Sequence, residues 1–355
     1  MKLIARAAMA ANLIGLCTLA AAPAAGASAP RRLSTLAVAS LPSPVSALDG
    51  VVAWVRASGR GHRFEIVIRR HGHDRRLRAT SARGWIDGVQ LGSDADGRAI
   101  VVYSRCPHKP YGSARPGHAG TDGCRLWWAP LAGTAAHMIA AAPPDSSVGT
   151  AVGGRVAFVV QANTASPGTG SVRLETAGLS GASARSLPVP HQRGASIEHI
   201  SASPTQVAFV ESAEQPGAAS TGLSQIWLDE GSAAPRLIAS LSSDDAPTDE
   251  SAQFFAGLTL SAGYVYTSIY AQPGLDQPGV EPHAVSRLER ISLADGSVVE
   301  SPWEPDEYDL GVSATSYDPA SNALVVSSFS RPLDFAGGAE RRDSCPIELE
   351  EPVAF

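Results

Sequence analysis

The hydrophobic pattern of this chain repeats. From Pro44 onward, short apolar runs, some alternating with period two and some continuous, are separated by tight turn sequences. Both patterns are those of half-buried or fully buried β-strands. The first unit reads VSAL, the turn Asp49-Gly50, VVAWVRA, a short link, FEIVIRR, a His71–Asp74 turn and RRLRAT. The second starts at Trp85 with WIDGVQLGS, turns at Asp94–Gly97, continues as AIVVYSRC, and resumes after a long loop with CRLWWAPLA and AHMIAA. Four further units follow, with second strands beginning near Arg155, Val207, Tyr264 and Ala323. Each unit offers four strands, a to d, and the units recur about every 50 residues.

Repeats of that length and content predict an all-β propeller of about six four-stranded blades, with seven as the alternative count. The sixth unit lacks a clean outer strand. RRLSTLAV, from Arg31, resembles the outer strands PRLIASL and RRLRAT. It is therefore expected to pair beside the Cys345 strand and close the ring, which would otherwise keep two bare sheet edges. Pro352–Phe355 is the shorter alternative for that role.

Strand order also predicts a functional face. In an up-and-down blade the a–b and c–d turns share one face, and the b–c and d–a links share the other. The first set is short here: Asp49-Gly50, Gly153-Gly154, Ala262-Gly263 and Asp295-Gly296. The b–c loops are long in five blades, over 106–124, 162–170, 213–223, 271–284 and 330–344. Long loops on a rigid scaffold are where binding concentrates. The loop between Cys106 and Cys124 carries His108, Tyr111, Arg115 and His118, the richest chemistry of the five. Acidic d–a links reach the same face: Asp244 and Asp245 before the fifth unit, Asp306 and Asp309 after it, with Trp303 beside them. Such oxygen-rich links suit a cationic ligand or Ca²⁺, although solvated acidic loops are commoner and no cofactor is expected. The Asp94–Gly97 stretch lacks the downstream ligands of a calcium loop and reads as a turn. His71-Gly72-His73-Asp74 is flanked by four arginines and also reads as a polar turn.

Composition and the N-terminus refine this picture. At 44% hydrophobic and 17% charged, with 34 Gly and 26 Pro, the chain is poor in the charged residues that long amphipathic helices need. Lys2 and Arg6 precede an Ala/Leu/Ile-rich run and then small residues ending Ala25-Gly26-Ala27. That order predicts a cleaved signal peptide over residues 1–27, a single propeller domain over 28–355, and a secreted or otherwise extracytoplasmic protein. No later run is long and apolar enough to span a bilayer. The formal net charge of -6 argues against nucleic acid as a partner. Export permits a disulfide, and Cys106 and Cys124 bracket a loop whose neck a bridge would close, leaving Cys345 single. Trp54 and Trp227 are expected in the core. Of the adjacent Trp127 and Trp128, one should face each side of its sheet. Trp85 and Trp303 are expected as core or rim residues, with lining of the ligand face as the alternative.

Three turns, Ser93-Asp94-Ala95-Asp96-Gly97, Ser203-Pro204-Thr205-Gln206 and Tyr317-Asp318-Pro319-Ala320, each precede an apolar strand. In this the units resemble those of TolB-like and WD40-like secreted β-propellers, although the Trp-Asp ending of WD40 blades is absent. The resemblance implies architecture only, because function is grafted onto such folds. No Gly-x-Ser-x-Gly elbow, phosphate loop, dinucleotide fingerprint or His-Glu-x-x-His motif occurs. The sequence therefore predicts a non-catalytic module that binds a protein, peptide or glycan on the long-loop face. The alternative is a carbohydrate-active hydrolase or lyase using Asp245, Asp306 or Asp309 at the channel mouth.

Overall fold

The structure is a computed structural model. It describes residues 32–39, 43–58, 63–80, 82–107, 123–162, 171–181, 184–190, 195–214, 222–231, 234–242, 250–273, 285–301, 312–328, 345–353 and 355.

Almost every described element is a strand. β1 (Arg32–Ala39) comes first, and its sheet is completed only at the other end of the chain. Blade 1 is β2 (Val45–Leu48), β3 (Val51–Ser58), β4 (Arg63–Arg70) and β5 (His73–Arg76), with the short β6 (Ala82–Arg83) also pairing with β4. Blade 2 is β7 (Trp85–Ser93), β8 (Ala99–Cys106), β9 (Arg125–Pro130) and β10 (His137–Met138). Blade 3 is β11 (Ser146–Val152), β12 (Arg155–Ala162), β13 (Ser171–Gly178) and β14 (Arg185–Leu187). Blade 4 is β15 (Ala195–Ala202), β16 (Val207–Glu214), β17 (Gly222–Asp229) and β18 (Arg236–Ser242). Blade 5 is β19 (Glu250–Ser261), β20 (Tyr264–Pro273), β21 (Val285–Ser292) and β22 (Val298–Glu300). Blade 6 is β23 (Val312–Asp318), β24 (Ala323–Ser328) and β25 (Cys345–Glu351), with β1 as its outer strand.

The six-bladed propeller and its N-terminal closing strand are thus as the sequence predicts. β1 runs antiparallel to β25, from Arg32 opposite Glu351 to Ala39 opposite Cys345. The tight turns follow from their residues. Asp49-Gly50, His71-Gly72 and Gly153-Gly154 each place two successive residues at positive φ, the backbone that matches the twist of a two-residue hairpin. The His71–Asp74 turn is shorter than read from the sequence, so the outer strand starts at His73 and stops at Arg76. A 3-10 turn over Arg78–Thr80 replaces the rest of RRLRAT. Thr80 fixes it, its Oγ1 accepting the Ile66 N–H at 3.1 Å and donating to the Leu77 carbonyl at 2.8 Å.

Side chains of successive blades fill each of the six gaps between sheets. Ile66, Tyr103 and Trp85 lie between blades 1 and 2, and Leu126, Phe158 and Trp128 between blades 2 and 3. Leu174 and Phe209 join blades 3 and 4, and Ile226 and Phe255 join blades 4 and 5. Tyr266, Tyr317 and the penetrating Phe355 fill the gap between blades 5 and 6. Trp54, Val325 and Ile347 close the circle between blades 6 and 1. Trp127 and Trp128 face opposite gaps, as alternation requires.

Candidate functional site on the inner ring

The first strands of the blades form the inner ring. β2, β7, β11, β15, β19 and β23 each contact the next, and β23 contacts β2. The free edge of such a strand has no ladder partner, so its N–H groups must be satisfied otherwise. Serines of the preceding blade do this repeatedly. Ser316 Oγ accepts the Ala47 N–H at 2.9 Å, Ser46 Oγ accepts the Leu91 N–H at 2.9 Å, and Ser201 Oγ accepts the Leu260 N–H at 2.9 Å. At the seam between blades 2 and 3, Ser93 Oγ accepts the Gly153 N–H at 3.0 Å. Between blades 5 and 6, Thr259 Oγ1 donates to the Tyr317 carbonyl at 3.0 Å. Glycine permits the closest approaches: a Cβ on Gly92 would lie 2.1 Å from the Ala151 carbonyl oxygen.

These contacts pin the half of the ring nearest the short a–b turns. The other half, toward the b–c connections, carries the charge. Five of the six inner strands shift register there, between Asp87 and Gln90, Ser147 and Gly149, Ile197 and His199, Phe255 and Gly257, and Val312 and Ala314. A bulge re-aims the side chains beside it. Beside two of these bulges sit Asp87 on β7 and Glu198 and His199 on β15.

The protonation equilibria of all three are shifted from their usual positions. Burial pushes the Asp87 carboxyl up to about 6, against one bond from the Gly88 backbone. Burial also raises Glu198, which hydrogen bonds to Ser212 and Ser196 partly offset. Burial alone lowers the His199 imidazole to about 4. By surface area, however, Glu198 is exposed and Asp87 and His199 are only half-buried. Groups reachable by water yet surrounded by protein are those of a channel wall. At neutral pH His199 is uncharged and Asp87 is mostly ionised, but a modest fall in pH protonates the Asp87 carboxyl.

The disulfide adjoins the same end. Cys106 bridges Cys124, as expected from the spacing, and both are buried. Cys106 is the ladder partner of Trp85, two residues before Asp87. Beyond the bridge, the Gly123 N–H donates to Asp145 Oδ1 at 2.7 Å, and the Asp145 N–H donates to the Cys124 carbonyl at 3.0 Å. The root of the second b–c loop is therefore fixed at both ends.

Several sequence expectations are resolved by these contacts. Trp85 packs on Phe64, ring centroids 4.3 Å apart, between blades 1 and 2, which is the core role. Asp94 is a turn residue, its Oδ1 accepting from the N–H groups of Asp96 and Arg98 at 2.9 and 2.8 Å. Asp74 pairs with Arg69 at 2.6 Å in the polar turn. Among the described residues, no three His, Cys, Asp or Glu side chains gather as a metal would need, and no helix is long and apolar enough to cross a membrane. The remaining candidates, His108, Tyr111, Arg115, His118, Asp244, Asp245, Trp303, Asp306 and Asp309, lie outside the described residues, as does the predicted signal segment. Asp87, Glu198 and His199 were not singled out in the sequence. The available signal was a charged residue within an otherwise apolar first strand, in WIDG and in IEHIS.

No protein family matches the sequence, and no curated protein does. Solved structures do match in fold. A sialidase of Trypanosoma rangeli is 10% identical with a TM-score of 0.50, over 87% of this chain and 54% of its own, so the match spans about half of that enzyme. The β-propeller domain of the Trilobed protease from Pyrococcus furiosus is 11% identical with a TM-score of 0.43, covering 82% and 78% of the two chains. An oligogalacturonate lyase in complex with manganese is 13% identical with a TM-score of 0.45, covering 87% and 76%. At such identities the likeness is one of fold, and it extends to proteins of different activities.

Proposed function

We propose that this chain is an exported propeller that works as a binding module, taking a protein, peptide or glycan on the face where the b–c connections leave the blades. The observation that carries this reading is the asymmetry of the inner ring. Its a–b half is stitched by Ser46, Ser201 and Ser316. Its b–c half holds Asp87, Glu198 and His199, each with a shifted pKa, beside the disulfide-anchored loop root. A rigid floor under a polar wall, with long loops leaving the same face, is the arrangement of a recognition site. Export rests on the charged, apolar and small-residue order of the first 27 residues and is compatible with the Cys106–Cys124 bridge.

The test replaces residues 108–122 with a short Gly/Ser link and measures binding to panels of immobilised polysaccharides and peptides. Wild-type protein retains a subset of the panel, and the replacement and Asp87→Asn each lose it while unfolding at nearly the wild-type temperature. Retention of the same subset by the loop replacement refutes the face assignment. A second reading, a carbohydrate-active enzyme, is favoured by one observation: the Asp87 carboxyl near 6 is in the range of a general acid. Turnover of any panel polysaccharide that disappears with Asp87→Asn selects that reading instead.

A further inference from the structure

One seam of the inner ring is unlike the other five. Blades 3 and 4 have no hydrogen bond between their first strands, β11 and β15, among the described residues. Each of the other five seams carries at least one hydrogen bond between its first strands or, between blades 2 and 3, from the a–b turn after β11. Where the stitching is missing, a cavity of about 120 Å³ opens on the side of the short turns, opposite the face considered above. That is space for about four water molecules at liquid density.

The cavity is charged in a specific way. Ala157, Thr176 and Arg185 are level across β12, β13 and β14, so their side chains share one sheet face. Arg155 lies two residues from Ala157 on β12 and joins the same face. Both arginines line the cavity and are exposed, and neither has a hydrogen bond or ion pair among the described residues. Asp229, at the end of β17, forms part of the opposite wall and is 5% exposed. Its Oδ1 accepts the Gly231 N–H at 3.1 Å, and its Oδ2 has no partner among the described residues. Leu187 and Val207, both of the core between blades 3 and 4, supply apolar surface between these charges.

Two exposed guanidinium groups and a carboxylate on the facing wall of one cavity suit a ligand of both signs. An anion alone would leave Asp229 facing it, and a cation alone would face Arg155 and Arg185. We infer that this cavity binds a small α-amino acid, with its carboxylate on Arg155 and Arg185, its ammonium on Asp229, and its side chain along Leu187 and Val207. Arginine pairs hold carboxylates through charge-assisted bonds with defined direction, and a buried carboxylate gains from an ammonium donor. This site is separate from the proposed recognition face and does not depend on it.

The experiment is a methyl NMR titration of the purified protein with L-alanine, propionate and ethylamine. Propionate lacks the ammonium of alanine and ethylamine lacks its carboxylate. L-Alanine should shift the methyl signals of Leu187 and Val207 saturably, while each singly charged analogue binds at least about tenfold more weakly. Arg155→Gln and Arg185→Gln should each weaken alanine binding by about tenfold or more. Asp229→Asn, which keeps an oxygen for the Gly231 N–H, should weaken alanine and strengthen propionate. Absence of saturable shifts with alanine overturns the proposal. So does propionate binding as tightly as alanine, or alanine binding unaltered by Arg155→Gln. The three-ligand comparison uses wild-type protein alone, so the result does not hang on how any variant folds.

Discussion

Ser316 Oγ accepts the backbone N–H of Ala47 at 2.9 Å, tying the innermost strand of the last blade to that of the first. The same bond recurs from Ser46 to Leu91 and from Ser201 to Leu260. An inner-strand N–H that loses its serine has no ladder partner to turn to. Ser46→Ala should therefore cost about 1–2 kcal/mol, more than a hydroxyl deletion at the surface. Urea denaturation at equilibrium measures it, and a change below a few tenths of a kcal/mol would show that water replaces the serine.

Gly92 and Gly97 separate two reasons for glycine. The first has ordinary φ, but its Cβ would sit 2.1 Å from the Ala151 carbonyl oxygen, backbone against backbone. Gly97 has φ 76° and open space around it. Gly92→Ala should destabilise by about 3 kcal/mol because two strands must separate, whereas Gly97→Ala should cost about 1 kcal/mol from backbone strain alone. Paired thermal melts of the two variants make the comparison.

The Cys106–Cys124 bridge closes a loop with a sequence separation of 18. Replacing both with serine should lower stability by about 3 kcal/mol, chiefly through the unfolded chain. Unfolding in the presence and absence of reductant gives the same number by a second route. Cys345, buried and unbridged, serves as the control position.

Asp87 and His199 act oppositely on the pH dependence of folding. Between about 4 and 6 the folded Asp87 keeps a proton that the unfolded chain has released, so its contribution falls as pH rises. Between about 4 and 6.5 the folded His199 lacks a proton that the unfolded chain binds, so its contribution rises with pH. The raised Glu198 carboxyl adds a slope of the Asp87 sign. Relative to wild type, Asp87→Asn should tilt stability toward higher pH over that window, and His199→Gln should tilt it toward lower pH. Denaturant melts at a series of pH values decide this: parallel profiles for the two variants would mean that neither group is desolvated.

Much of the architecture could be read from the residues because blades announce themselves locally. Asp49-Gly50 and Gly153-Gly154 name their turns, and RRLSTLAV matches outer strands elsewhere in the chain closely enough to find its place beside Cys345. The paired cysteines were legible for the same reason, each at the edge of a strand. What escaped is set by relations between blades. Asp87, Glu198 and His199 look like ordinary strand residues until the register shifts at their positions turn them toward the ring. The cavity walls come from Arg185 and Asp229, which are distant in sequence and related only by the way two sheets lean together. A period of two reports which side of a strand a residue occupies, not which other strand it will face.

The pairing of β1 with β25 fixes the order of events during synthesis. The strand that leaves the ribosome first is bonded to the one that leaves almost last, so the outer strand of blade 6 must wait, unpaired, while all five other blades are made. Until Cys345–Glu351 arrives, those eight residues are a loose edge open to any sheet within reach.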